Sequence, residues 1–267
     1  MKQTLLLSAA IVLAASGAAH ADLLAYENFD YPTDCNLHGQ NGASGWLGAW
    51  SAGCPGQGYM NQVRDNIYSF SYAGYTPETE PALSGGNYLN LAAGYGGPNF
   101  NYAQRTLDLV EGGVFDQAGL RVVNSAGYAC VGADGATLWG SFLLQSASNC
   151  AHLWLQEQDG ASSTRSTELQ LPNLGSVGAI ALVVFRIDFG GNDADAIHFW
   201  YNPDLSCWQP TDAPASTVQG NLTFRNFVFV QNGQDTEARY DDIRLGTAAE
   251  DVVPYYQPPA GTVFILR

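Results

Sequence analysis

Trp139, His152, Trp154, Gln156, Arg186, His198 and Trp200 are the residues of this chain whose types and spacing suit recognition chemistry. Flat indole faces stack on the apolar faces of sugar rings, and His, Gln and Arg give directional hydrogen bonds to hydroxyls. They sit in four apolar stretches, 136–145, 151–158, 178–189 and 196–202, separated by clusters of Gly, Asn, Asp and Ser that favour tight bends. If Leu138, Phe142, Leu144, Leu153, Leu155, Ile197, Phe199 and Tyr201 face a core, alternation turns Trp139, Ser141, His152, Trp154, Gln156, His198, Trp200 and Asn202 the other way. As successive strands of one β-meander, these stretches would gather the polar and aromatic set on a single face, which Arg186 could join. The competing reading covers that face with the long N-terminal loops and makes the tryptophans a second core layer. Ile180, Leu182 and Val184, which share parity with Arg186, are apolar and fit either case.

Other chemistries find weaker footing. Asp188, Asn192, Asp193 and Asp195 cluster in one turn and offer the hard oxygen ligands of Ca2+, although the same residues are ordinary hairpin chemistry. No CxxC or Cys/His spacing suggests zinc. Glu157 and Asp159 share parity at a strand end and are the nearest approach to a pair of catalytic carboxylates. His152 and His198 leave a Ser/His/Asp triad open, but no Gly-x-Ser-x-Gly elbow supports one. The glycine-rich 39–50 segment lacks the Gly-Lys-Ser/Thr of a phosphate loop, so Trp46 and Trp50 are expected to anchor it on the core.

The elements that must position these residues read as strands throughout: 23–31, 61–70, 86–91, 101–109, the four stretches above, 222–232 and 237–247, with a further short one at 119–123. The passages 39–50 and 207–220 read as loops, and no stretch carries sustained helical periodicity. Residues 1–21 have the basic start, apolar run and Ala19-His20-Ala21 ending of a secretory signal peptide, residues 22–247 form one domain, and 248–267 are expected to be a loosely packed extension. No later run is long and apolar enough for a membrane helix, which predicts secretion without membrane insertion. A formal net charge of −15 argues against nucleic acid and anionic membranes as partners. Cys35, Cys54, Cys130, Cys150 and Cys207 all lie in the exported part, where disulfides persist. Ten extended residues between Cys130 and Cys150 rule out that pair, and an up-and-down meander returns Cys207 to the Cys130 end. The expected bridges are Cys35 to Cys54 and Cys130 to Cys207.

AYENFDY followed by GQNGASGWLGAW, then GNYLNL with RTLD, a DFGGND turn leading to a strand ending in NPD, and a closing YDDIRLGT together resemble the exported bacterial proteins of the laminin-G-like, concanavalin-A-like jelly-roll superfamily. The resemblance runs from Leu24 to Thr247 and implies an all-β, two-sheet antiparallel jelly-roll sandwich (concanavalin-A-like) with its first and last strands adjacent. That adjacency would bring Glu27 or Asp30 to Asp241 or Asp242, a second place for a structural Ca2+. The superfamily's laminarinase-type enzymes carry an E-x-D-x-x-E strand, and this chain has none. The sequence therefore points to a secreted, non-catalytic, lectin-like domain binding an extracellular glycan or cell-surface protein. A polysaccharide hydrolase or lyase, and a structural or adhesion module without a small ligand, are the alternatives.

Overall fold

The computed structural model describes residues 23–53, 62–65, 87–92, 100–120, 122–124, 127–146, 150–157, 165–170, 180–190, 194–205, 207–232 and 237–253. In chain order these form β1 (Leu23–Glu27), β2 (Trp46–Gly53), β3 (Gln62–Asp65), β4 (Asn87–Ala92), β5 (Phe100–Leu107), α1 (Val114–Gln117), β6 (Val122–Asn124), β7 (Gly127–Ala129), β8 (Thr137–Ser146) and β9 (Ala151–Gln156). There follow β10 (Arg165–Gln170), β11 (Ile180–Asp188), β12 (Asp195–Tyr201), β13 (Ser216–Gly220), β14 (Asn226–Asn232), β15 (Glu237–Gly246) and α2 (Ala249–Val252).

Two antiparallel sheets pack face to face. The larger has 8 strands in the order β13-β12-β11-β8-β15-β4-β3, with β1 also on β15. The smaller has 5 strands in the order β10-β9-β14-β5-β2. Alternation turns Leu138, Phe142 and Leu144 of β8, Phe185 of β11 and Tyr240 of β15 inward from one sheet. Phe227 and Phe229 of β14 and Leu153 and Leu155 of β9 meet them from the other. Ring contacts bridge the layers: Phe142 to Phe229 at 5.7 Å, Phe185 to Phe227 at 6.0 Å and Phe229 to Tyr240 at 5.1 Å. Each such buried ring contributes roughly 1.5–3 kcal/mol of transfer free energy, so this interface supplies the domain's main stabilisation. The chain is an all-β jelly-roll sandwich, and the terminal strands β1 and β15 pair as expected, with Leu23 opposite Gly246.

The meander is corrected. β8 does not pair with β9; it pairs with β11 and β15, while β9 crosses to the smaller sheet between β10 and β14. Both strands are buried on both sides, so the alternation that identified them carried no information about which sheet each joins. The crossing also overturns the Cys130–Cys207 bridge. With β9 removed from the series, β12 runs parallel to β8, and the chain leaves β12 at the far end from Cys130. Cys130 is fully buried against Phe224, Cys207 lies exposed after β12, and no disulfide joins the two. Cys35 likewise holds a free thiol, while Cys54 lies outside the described residues.

Further expectations change in detail. Trp46–Gly53 is an edge strand and Ser216–Gly220 another, where loops were expected. A short helical turn, α1, stands in the passage before β6. The extension is not loosely packed at its start: α2 lies on the outer face of the larger sheet, burying Ala249, Val252 and Val253 against Trp139, Leu143 and Trp200. Ser141 Oγ donates to the Val252 carbonyl at 2.5 Å and fastens it there. Residues 1–22, including the signal-like segment, lie outside the described residues. Among the described residues no helix is long and apolar enough to cross a membrane.

Candidate functional site

Because β8 and β9 lie in different sheets, the recognition residues separate into two groups on opposite sides of the sandwich. His152, Trp154 and Gln156 face outward from the smaller sheet. There Trp154 packs on Val228 and Val230, and His152 lies 6.5 Å from the Trp154 ring. Gln156 aligns with Asn226 and Thr106 across the strands. All three of the predicted residues are deeply buried.

Trp139, Arg186, His198 and Trp200 do come together, on the outer face of the larger sheet. Register sets Trp139 of β8, Arg186 of β11 and His198 of β12 in one row, and Trp200 falls in the next. Trp139 and Trp200 stack at 5.7 Å, and the Arg186 guanidinium lies 5.4 Å and 5.8 Å from their ring centroids. Trp208, from the loop after β12, meets both indoles edge-on. The Trp200 indole N–H donates to the Asp212 carbonyl at 3.0 Å and ties that loop down. The three tryptophans are only 6%, 5% and 4% exposed, so they form a sealed layer rather than an open platform. Among the described residues the covering comes from the 203–215 loop and α2, with Tyr88 of β4 in the same cluster.

At one end of this layer the cover opens into a groove of about 340 Å3 lined by Thr137, Trp139, Arg186, Asp188, Pro210 and the 247–250 segment, Glu250 included. Arg186 donates from Nε and Nη2 to Asp188 Oδ2 at 3.0 Å and 2.7 Å, and from Nη1 to the Pro210 carbonyl at 3.3 Å. His198 Nε2 stands 3.2 Å from the same Asp188 oxygen, and its Nδ1 lies 2.9 Å from the Thr217 hydroxyl. The Arg186 side chain is 26% exposed and that of Asp188 37%, so both reach solvent at the groove floor. The i, i+2 spacing of Arg186 and Asp188 signals a shared strand face. Glu250, Pro210, Trp208 and Thr217 carry no local signal, since only the fold brings them to β11.

The carboxylates considered for calcium have other duties. Asp195 accepts from Gly190 N and Leu222 N, both at 2.8 Å, and takes the core-side parity of Ile197, whereas Asp188 faces outward. Asn192 and Asp193 lie outside the described residues. Glu27 is buried and accepts from Phe29 N, the Tyr31 hydroxyl and the Trp50 indole, each at 2.8 Å, with Arg105 Nη1 at 3.8 Å. Asp30 is an exposed turn residue. Asp242 takes Arg244 Nε at 3.2 Å, and Asp241 accepts the Asp242 N–H at 2.8 Å. Burial, reinforced by the charge of Asp242, pushes the Asp241 carboxyl well above the usual carboxylate range. Glu157 is exposed at the end of β9, and Asp159 lies outside the described residues.

No protein-family model matches this chain, and no curated protein matches it. Among solved structures it is similar to the endo-β-1,4-glucuronan lyase of the fungus Trichoderma reesei, at 12% identity and TM-score 0.36, over 76% of this chain and 96% of that one. The globular domain of T. cruzi calreticulin is similar at 9% identity and TM-score 0.43, over 88% and 94%. A glycosyl hydrolase family protein from Mycobacterium fortuitum is similar at 12% identity and TM-score 0.39, over 84% and 99%.

Proposed function

We propose that this chain is an exported carbohydrate-binding jelly-roll module that holds its glycan in the groove over β8 and β11. The carrying observation is the partly exposed Arg186–Asp188 pair in the lining of an open groove, braced by His198 and backed by the buried Trp139 and Trp200 indoles under the arginine. Such a pair presents a donor and an acceptor side by side, held in fixed orientation, as recognition of sugar hydroxyls requires. The signal-like N-terminus and the superfamily resemblance support export and a sandwich scaffold on which binding sites recur.

The test is a titration of the protein with soluble polysaccharides, followed by tryptophan fluorescence, beside Arg186→Gln and Asp188→Asn. Saturable binding lost in both variants, with the fold retained by circular dichroism, supports the site. Binding that survives both variants removes it. The structural-module reading has one observation in its favour, the burial of Trp139, Trp200 and Trp208, and it is sustained if no glycan binds.

A further inference from the structure

Resting on that reading, we infer that the groove selects an uncharged glycan, held by two adjacent hydroxyls at a chain end, and rejects uronate-bearing or sulfated ones. The argument is one of charge and of which polar atoms remain open. Among the described residues the Arg186 cation is the groove's one basic lining group, and it is already engaged: Nε and Nη2 lie on Asp188 Oδ2, Nη1 on the Pro210 carbonyl, and its face on two indoles. Of the five N–H groups of a guanidinium, these bonds use three, which leaves one on each Nη atom to donate. Asp188 Oδ2 takes Arg186 and His198, whereas among the described residues Oδ1 meets only the Thr137 hydroxyl, at a long 3.4 Å. Oδ1 is therefore the groove's open acceptor.

One hydroxyl donating to Asp188 Oδ1 and its neighbour accepting from an Arg186 Nη atom would complete both groups. A carboxylate or sulfate would meet a different environment. Its countercharge is neutralised by Asp188, Glu250 adds a second carboxylate to the lining, and the chain as a whole carries a formal −15. In a partly desolvated groove an anion would be opposed at short range and would gain no pairing. A volume of about 340 Å3 is at the small end of ligand clefts, which run from about 300 to 1,000 Å3. The end of a chain suits it better than a long segment.

The deciding measurement is isothermal titration of the protein with two oligosaccharide sets of equal length, uncharged hexose and uronate. Uncharged ligands are expected to bind at least about tenfold more tightly than uronates, and Asp188→Asn is expected to cost them about tenfold, the effect of a lost charge-assisted hydrogen bond. Glu250→Gln, at an exposed position of the lining, is expected to raise uronate affinity about threefold and so to narrow the gap to the uncharged ligands. Uronates binding as tightly as uncharged sugars, with Asp188→Asn still disruptive, would overturn the selectivity and leave the groove. Absence of binding by both sets would overturn the groove reading itself.

Discussion

Trp139 and Trp200 stack with ring centroids 5.7 Å apart and planes 20° from parallel, and the strand between theirs supplies the arginine that lies over both rings. The pair joins β8 to β12 without a direct strand contact, so the candidate groove inherits its floor from a packed aromatic layer.

Replacing either indole by alanine should therefore act on stability first. Trp139→Ala and Trp200→Ala are each expected to cost about 3–5 kcal/mol, and a double-mutant cycle should return a coupling of about 1 kcal/mol between them. Urea denaturation of the four proteins in the cycle checks both numbers. A coupling near zero would mean that the stack adds nothing beyond burial.

Glu27 anchors the entry of the chain. Glu27→Ala leaves the buried Arg105 cation and the Tyr31 and Trp50 donors without their carboxylate. A loss of about 3 kcal/mol is expected, read from the shift in urea midpoint. Glu27→Gln, which keeps an acceptor, should recover part of it.

Asp241 sets a pH dependence whose sign follows from its raised pKa. The folded state holds this proton while the unfolded chain releases it near the ordinary Asp value of ~3.9. The contribution is full below that value and is lost as pH rises through the higher folded pKa. Midpoints measured from pH 4 upward should show this fall, and Asp241→Asn, which can still accept the Asp242 N–H, should flatten it.

Gly140 faces the core, where its Cβ would stand 2.0 Å from the Phe185 ring of the paired strand. Gly140→Ala is expected to cost about 1–3 kcal/mol by overpacking. The adjacent Arg186 should shift with β11, so thermal melts and glycan titrations of this variant should fall together.

The existence of most strands was legible in the sequence, because Leu138, Phe142 and Leu144 alternate cleanly with Trp139 and Ser141. Sheet membership was not. Alternation tells which residues share a face of one strand and is silent about the neighbours across it, and β9 is buried on both sides. Parity also breaks within strands: the four residues of β15 from Asp241 to Arg244 oppose the three of β8 from Leu143 to Ser141, with Asp242 at a φ of 49°. That bulge lets Ala238 and Tyr240 share the core with Ile243 and Leu245. Half of the candidate site was readable as Trp139, Arg186, His198 and Trp200. Glu250 and Trp208 were not, since they reach the groove through a helical turn and a loop with no repeating pattern.

The pairing of β1 with β15 makes the described fold a nearly closed ring, its two ends meeting where Leu23 faces Gly246. The place at which such a ring is cut is a matter of history more than of physics. A permuted protein that joins those ends and opens at the exposed 110–113 turn would keep every strand pair of both sheets. Anything tethered at the natural N-terminal strand would hang beside the closing strand, at one corner of the molecule.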